Sequence, residues 1–348
     1  MQNNMKTPIT VKAAFETLRE AGYPKSFIIR FLPEWWDNSL LKTSAGALQF
    51  ALILKQRLGI DVSFGQDGVL SIPSRVSIAH TSFKRRAGTA VNELNIAANL
   101  GIATARIALL ALKRPYTPIP SDPTIVNKLV CDRTGKKSVD FEGLLDFCWE
   151  YGIPVLFLKE IPRHTKRMTG MAVMVDSRPV ILLGFNYSQF PKQLFVLAHE
   201  LGHIANGHVE NNGALIDEEL EDVSEGLEGR RLAKKDVEEQ EADLFALSLL
   251  RNGNIKITEL IPRQSSSAIL AAKAIEVGTR LNVDPGHLIV SYAKQHDDWL
   301  KANQALNFIE QPVSATQALK KVFFSNSDLS ILGEESKEYL LSVQGFEG

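Results

Sequence analysis

Apolar residues recur every three to four positions in several stretches of the chain, and this spacing is typical of amphipathic helices. Near the amino terminus it predicts helices over Val11–Ala21, Ser26–Phe31 and Ser44–Leu58, each followed by a glycine or a proline. A longer helix is predicted to extend to about Leu112. Part of this segment loosely matches a helix-turn-helix spacing, but Gly101 lacks neighbouring turn residues. One long amphipathic helix is therefore the favoured interpretation.

The pattern changes in the middle of the chain. Prolines cluster between Pro115 and Pro123 and predict a linker. The segments beyond it predict a helix over Phe141–Tyr151, a strand over Pro154–Leu158, and a β-hairpin with strands Met171–Val175 and Val180–Leu183. Either hairpin strand is a candidate for pairing with an extended peptide. Helices and a small sheet together predict an α+β fold.

The last part of the chain is predicted to be helical and then weakly ordered. Ala268–Leu281 and His287–Lys294 form a predicted helical pair, for which DNA recognition and simple packing both stay open. Residues 303–348 are predicted to be weakly ordered. The predicted division is a mostly helical, basic N-terminal domain over 1–118, a second domain over 119–300 and a C-terminal appendage over 301–348.

The segment His199-Glu200-Leu201-Gly202-His203 carries the strongest chemical signal. Its apolar neighbours predict a buried helix. Histidines four positions apart project from the same face, so the two imidazoles can hold one metal ion with Glu200 as general base beside it. A metal is favoured because a buried histidine pair beside a carboxylate needs a partner. Gly202 is unfavourable by about 1 kcal/mol in a helix interior, which predicts close approach of another backbone.

A catalytic zinc ion usually has three protein ligands and one water, so a third ligand is needed. His208 is one residue out of register with the extended motif that uses a third histidine, so a later glutamate is favoured. Glu239 lies on the apolar side of the next predicted helix, and Asp243, one turn further on, can accept a hydrogen bond from a ligand histidine. Glu238 borders the same side and stays open as an alternative, whereas Glu241 is a weaker candidate.

The His-Glu-Leu-Gly-His motif followed about forty residues later by Glu-x-x-Ala-Asp-x-Phe-Ala resembles the ImmA/IrrE family of metallopeptidases. Arg178–Asn186 is also similar to the strand that precedes the motif in that family. The resemblance covers roughly residues 140–300 and implies a zincin-like fold for the second domain. It implies the following site residues: zinc ligands His199, His203 and Glu239, and the base Glu200.

The resemblance also implies a setting in bacteria or mobile elements and a protein substrate, often a helix-turn-helix repressor. One departure is the long acidic stretch between His208 and Glu239, which predicts a different rim around the site. The motif and the resemblance together predict a zinc-dependent endopeptidase. His208 is also a candidate catalytic helper, and His208 and Tyr187 are the candidate oxyanion donors.

Two other classes of function stay open. One is a DNA-associated regulator whose basic N-terminal part binds nucleic acid, and the other is an interaction protein with a catalytically silent zinc domain. Residues 1–118 hold 15 Lys and Arg against 7 Asp and Glu, whereas the remainder holds 24 against 33. This asymmetry is compatible with binding of the N-terminal part to a polyanion. The favoured interpretation is that the basic N-terminal part docks on the acidic half of the same chain, because no basic stripe with interleaved aromatic residues occurs. The intact Glu200 favours an enzyme.

The cysteine content and the distribution of apolar residues give an expectation for the cellular compartment of the protein. The two cysteines, Cys131 and Cys148, do not suggest a disulfide framework. The amino terminus lacks the apolar core of a signal peptide, and the longest apolar stretch is interrupted by polar residues. The expectation is a cytoplasmic protein without a membrane partner.

Overall fold

The computed structural model describes residues 10–65, 67–72, 81–84, 91–162, 168–184, 189–217, 234–253, 261–309 and 314–346. The fold is α+β. The described helices are α1 Val11–Glu20, α2 Lys25–Arg30, α3 Ser44–Leu58, α4 Val91–Leu110, α5 Pro123–Thr134, α6 Phe141–Glu150, α7 Phe190–Ala205, α8 Lys234–Leu250, α9 Ser267–Leu281, α10 Pro285–His296, α11 Trp299–Leu306, α12 Ala315–Asn326 and α13 Glu334–Gln344. The described strands are β1 Ser63–Phe64, β2 Leu70–Ser71, β3 Thr81–Lys84, β4 Val155–Phe157, β5 Gly170–Val175, β6 Arg178–Leu183 and β7 Ala214–Asp217.

Five of these strands form one mixed sheet in the order β3-β7-β5-β6-β4, while β1 and β2 pair separately. The predicted hairpin is present as the antiparallel pair β5 and β6. β7 runs antiparallel to β5 on one side, and β4 runs parallel to β6 on the other. Both hairpin strands therefore have two strand neighbours. The prediction that a peptide pairs along one of them is wrong for Gly170–Val173, whose outer edge β7 occupies, and for Ile181–Leu183, whose outer edge β4 occupies.

Helices cover both faces of the sheet. Gly170 in β5 faces α7, since a Cβ built on it would lie 2.9 Å from Cγ of Glu200. The next residue, Met171, faces α4, because a Cβ built on Gly101 would lie 3.0 Å from Sδ of Met171. Successive strand residues point to opposite faces, so α4 and α7 lie on opposite sides of the sheet. α4 is one continuous helix, as the sequence predicts.

The C-terminal residues pack into the main core. Phe323 in α12 and Leu340 in α13 are fully buried there, together with residues of the N-terminal helices. Tyr339 shares a buried hydrogen bond of 3.1 Å with Thr104 of α4. The prediction of weak order over 303–348 is therefore wrong for the described part of that segment. These helices owe their order to packing against distant segments, which local sequence patterns do not record.

A second, smaller core joins α9, α10 and α11. α10 contacts α7, and its residues from Gly286 to Ala293 are all buried. The buried Arg251, which directly follows α8, donates hydrogen bonds to His287 and Ser291 of α10, at 3.2 and 3.0 Å. These contacts favour packing over DNA recognition for the predicted helical pair. The domain boundaries at 118 and 300 stay a prediction.

No helix in the described part of the chain is both long enough and apolar enough to cross a bilayer.

Asp284 caps the amino end of α10 and accepts a hydrogen bond of 2.8 Å from the backbone N–H of His287. Burial raises the pKa of this carboxyl to about 6, and nearby Asp140 adds to the rise, although the backbone N–H groups and Lys136 oppose it. The folded protein therefore keeps a proton that the unfolded chain releases between about pH 4 and pH 6. The contribution of Asp284 to the free energy of unfolding is fully present below about pH 4 and is lost as the pH rises from there to about 6.

We expect Asp284→Asn to remove this dependence while its side-chain oxygen still caps the helix. The free energy of unfolding of the variant minus that of the unmodified protein should increase by at most about 3 kcal/mol from pH 4 to pH 7. Urea unfolding of both proteins at several pH values measures the difference. A difference that stays constant with pH would contradict this account of Asp284.

Candidate metal centre

The helix α7 carries the histidine motif into the interior. Pro191 lies in its first turn, where the missing N–H of proline causes no loss. Apolar residues surround the helix on almost every side, and the side chains of His199, Glu200 and His203 are fully buried. The buried motif helix predicted from the sequence is thus present.

Gly202 allows α8 to approach α7 closely. A Cβ built on Gly202 would lie 2.9 Å from the carbonyl oxygen and 3.1 Å from Cα of Ala242 in α8. Both distances are shorter than an ordinary van der Waals contact, so a larger residue would push the helices apart. The close backbone approach predicted from this glycine is confirmed, and it brings the carboxylates of α8 to the histidines of α7.

His199, His203 and Glu239 converge as one buried group. The two Nε2 atoms lie 3.0 Å apart. Glu239 places one carboxylate oxygen 3.6 Å from Nε2 of His199 and the other 3.7 Å from Nε2 of His203. Potential ligand atoms of all three side chains lie within 4.8 Å of one another, which is compact enough to bind one metal ion.

These distances suit a small tetrahedral ion. Zinc binds histidine nitrogen at about 2.0–2.1 Å and carboxylate oxygen at about 2.0–2.2 Å, which separates neighbouring ligand atoms by about 3.3–3.5 Å. The observed distances of 3.0, 3.6 and 3.7 Å bracket this range. Three electron-rich atoms that point at one place repel each other, and a cation between them removes the repulsion. The residues therefore fit a metal of this size and preference.

Asp243 orients His199. Its carboxylate oxygen lies 2.7 Å from Nδ1 of His199, and both side chains are almost completely buried. An ionised carboxylate only accepts hydrogen bonds, so Nδ1 of His199 carries the proton and donates it. The lone pair on Nε2 then points toward the other two ligands. This is the hydrogen bond predicted for Asp243 from the sequence.

His208 lies against His203, and Glu241 lies against His208. The Nδ1 atoms of the two histidines are 3.0 Å apart, and Nε2 of His208 is 2.9 Å from a carboxylate oxygen of Glu241. From the sequence, His208 is a candidate helper and Glu241 only a weak ligand candidate. Their contact with each other is not evident from the sequence, since the two residues are far apart in the chain and meet only because α8 packs against α7.

Glu200 lies between the two ligand histidines on α7 and packs against the start of β5. A Cβ built on Gly170 would lie 2.8 Å from Cδ and 2.9 Å from Cγ of Glu200. The Glu200 side chain therefore occupies space that is available because residue 170 is glycine. The role of Gly170 was not predicted, because a lone glycine at the start of a strand carries no sequence signal that would identify it.

The remaining candidates are placed differently. Glu238 is in the same helix as Glu239 but is not part of the group that can hold a metal. Tyr187, a candidate oxyanion donor, lies outside the described residues. The described part of the chain thus unites His199, Glu200, His203, Glu239 and Asp243, with His208 beside them.

Comparison with known proteins adds no relative. Neither a family model, nor a curated protein, nor a solved structure matches the chain.

We expect Glu239→Ala to weaken metal binding by more than ~100-fold, because it removes a direct ligand and not a supporting contact. Asp243→Ala should weaken it by about 10–100-fold, since His199 loses only the group that orients it. Competition with a chromophoric chelator gives each affinity. Glu238→Ala is the matched control on the same helix and should bind like the unmodified protein. A larger loss in Glu238→Ala than in Glu239→Ala would mean that the wrong glutamate has been assigned.

Proposed function

We propose that this protein is a zinc-dependent endopeptidase with a zincin-like domain of the ImmA/IrrE type. One observation carries the proposal: two histidines and a glutamate converge on one buried point, and Glu200 lies between those histidines on the same helix. A purely structural metal site has no need of a buried carboxylate there. The combination of three ligands with a neighbouring base is the arrangement that metal-assisted hydrolysis requires.

The donor set supports zinc over other ions. Two imidazoles and one carboxylate form the His2Glu set of known catalytic zinc sites, which keep one position for water or substrate. Magnesium and calcium prefer sites made of oxygen ligands. Imidazole also suits other transition metals, so the proposal rests on the complete set and its spacing.

A zinc ion held by His199, His203 and Glu239 would polarise the peptide carbonyl and lower the pKa of water to about 7. Glu200 then acts as the general base and takes the proton from the attacking water. The same carboxyl group passes this proton to the amine nitrogen as the peptide bond breaks. Asp243 holds the His199 ring in one tautomer throughout. The surrounding apolar side chains exclude bulk water and strengthen these electrostatic interactions.

The substrate class rests on the family resemblance. The resemblance supports a protein substrate, with a helix-turn-helix repressor of a bacterium or mobile element as the proposed partner and the cytoplasm as the proposed location. The rival proposal, a DNA-associated regulator whose basic N-terminal part binds nucleic acid, stays a second candidate that rests on the charge asymmetry of the chain. α10, which was also considered for DNA recognition, is buried against α7 over Gly286 to Ala293.

We expect Glu200→Gln to retain zinc and the fold but to lose cleavage, because the isosteric amide cannot accept the proton. Turnover should fall by at least ~10²-fold, the lower end for a lost general base. The measurement compares new protein amino termini in a host lysate after incubation with each protein, with zinc content determined in parallel. Cleavage by the variant at the unmodified rate would exclude Glu200 from the reaction.

We expect Gly170→Ala to impair catalysis while leaving the three metal ligands in place. The added Cβ needs the space that the Glu200 side chain occupies, so the base must move. A displacement of about 1 Å can reduce turnover by ~10²-fold. Turnover and zinc content of the variant provide the measurement.

The matched control for this glycine is Gly333→Ala. A Cβ built on Gly333 meets no atom within 4 Å, and its backbone does not have a positive φ. This control should behave like the unmodified protein. Full activity in Gly170→Ala would show that the position of Glu200 does not depend on the contact with β5.

A further inference from the structure

Both ligand histidines present Nε2 to the metal position, and each has its Nδ1 atom engaged on the other side of the ring. For His199 the partner is the carboxylate of Asp243, at 2.7 Å. For His203 the partner is another histidine, His208, at 3.0 Å. The contact between His203 and His208 has no role in the function proposed above.

The end of α7 explains how His208 reaches His203. The N–H of His208 donates to the carbonyl of His203 at 3.0 Å, and the N–H of Gly207 donates to the carbonyl of Ile204 at 3.2 Å. These two bonds, with Gly207 at a φ of +71°, form a Schellman motif. The motif normally sets an apolar residue against the last turn of the helix. Here it sets an imidazole against a metal ligand.

Only one arrangement of protons suits metal binding. His203 needs a free lone pair on Nε2, so its proton is on Nδ1 and is donated to Nδ1 of His208. Glu241 only accepts hydrogen bonds when ionised, so Nε2 of His208 carries a proton and donates it at 2.9 Å. Neutral His208 thus accepts with Nδ1 and donates with Nε2. Each hydrogen bond fixes the tautomer of the next ring.

The side chains of His208 and Glu241 differ in how deeply they are buried, and this difference indicates different roles. The His208 side chain is 6% exposed, whereas that of Glu241 is 53% exposed. His208 therefore makes its hydrogen bond to His203 in the interior, while Glu241 accepts the hydrogen bond from His208 at the surface. Because exposed charges are screened by solvent, we expect the smaller effect at Glu241.

We propose that His208 is a positioning residue for the metal ligand His203, and that Glu241 acts on His203 through His208. In this arrangement α8 orients both ligand histidines: directly through Asp243 for His199, and through His208 for His203. The inference rests on the metal-binding part of the proposed function and is independent of the reaction and the substrate.

The test uses a pair of side chains of similar shape at position 208. Asparagine places Oδ1 close to where histidine has Nδ1, so His208→Asn keeps an acceptor for His203, and His208→Leu removes it. We expect His208→Leu to weaken zinc binding by about 10–100-fold, and His208→Asn to recover most of that loss. Zinc affinity is measured by chelator competition at fixed pH in protein whose fold is checked by circular dichroism.

A second measurement does not require zinc. Long-range ¹H–¹⁵N correlation spectra of the metal-free protein report the tautomer of His203. We expect the Nδ1–H form of His203 in the unmodified protein and in His208→Asn, and a mixture of tautomers in His208→Leu. Equal zinc affinity and equal spectra in all three proteins would overturn the proposal. Equal losses in His208→Asn and His208→Leu would overturn it as well, since the acceptor would then not matter.

The role of Glu241 is tested by a double-mutant cycle. Glu241→Ala should weaken zinc binding by up to about 10-fold alone, and should have no further effect when combined with His208→Leu. Additive losses would show that Glu241 acts without His208. If the unmodified protein binds no zinc, the proposed function fails, while the tautomer of His203 in the metal-free protein still decides the role of His208.

Discussion

The contact between α7 and α8 at Gly202 sets the geometry of the whole site. A side chain at this position would meet the backbone of Ala242 at 2.9 Å, so the helices reach their separation only because residue 202 has none. This separation brings the Glu239 carboxylate to 3.6 and 3.7 Å from the two histidine nitrogens. The unfavourable glycine in a helix interior is therefore offset by the packing of the two helices and by the ligand set that this packing creates.

The packed helices α7 and α8 thus supply nearly all of the side chains that form the site. α7 contributes the two histidines and Glu200, and α8 contributes three carboxylates with different tasks. Glu239 points at the histidine nitrogens, Asp243 orients His199, and Glu241 holds His208. The sheet contributes space: β5 starts with a glycine, which leaves room for the Glu200 side chain.

The parts of this arrangement that depend on helix periodicity were predictable from the sequence. The four-residue spacing of His199 and His203, the one-turn spacing of Glu239 and Asp243, and the close approach at Gly202 all follow from local pattern. The same holds for the β5–β6 hairpin and for α4. Periodicity alone left Glu238 open as a ligand, because it cannot fix how one helix is rotated against another.

Features that depend on distant contacts were not predictable. The flanking strands β7 and β4 are short, and their pairing with the hairpin is set by tertiary structure. The order of α12 and α13 comes from burial of Phe323 and Leu340 against remote segments. The contact of His208 with Glu241 needs both the helix end at Gly207 and the approach of α8, and neither residue alone indicates it.

The most direct test of the central claim is the position of the metal itself. Crystals grown with one equivalent of zinc, with data collected on both sides of the zinc absorption edge, would locate the ion by anomalous scattering. The account predicts one strong peak about 2.0–2.2 Å from Nε2 of His199, Nε2 of His203 and a carboxylate oxygen of Glu239. A zinc peak at any other group of residues, or no peak at this group, would contradict it.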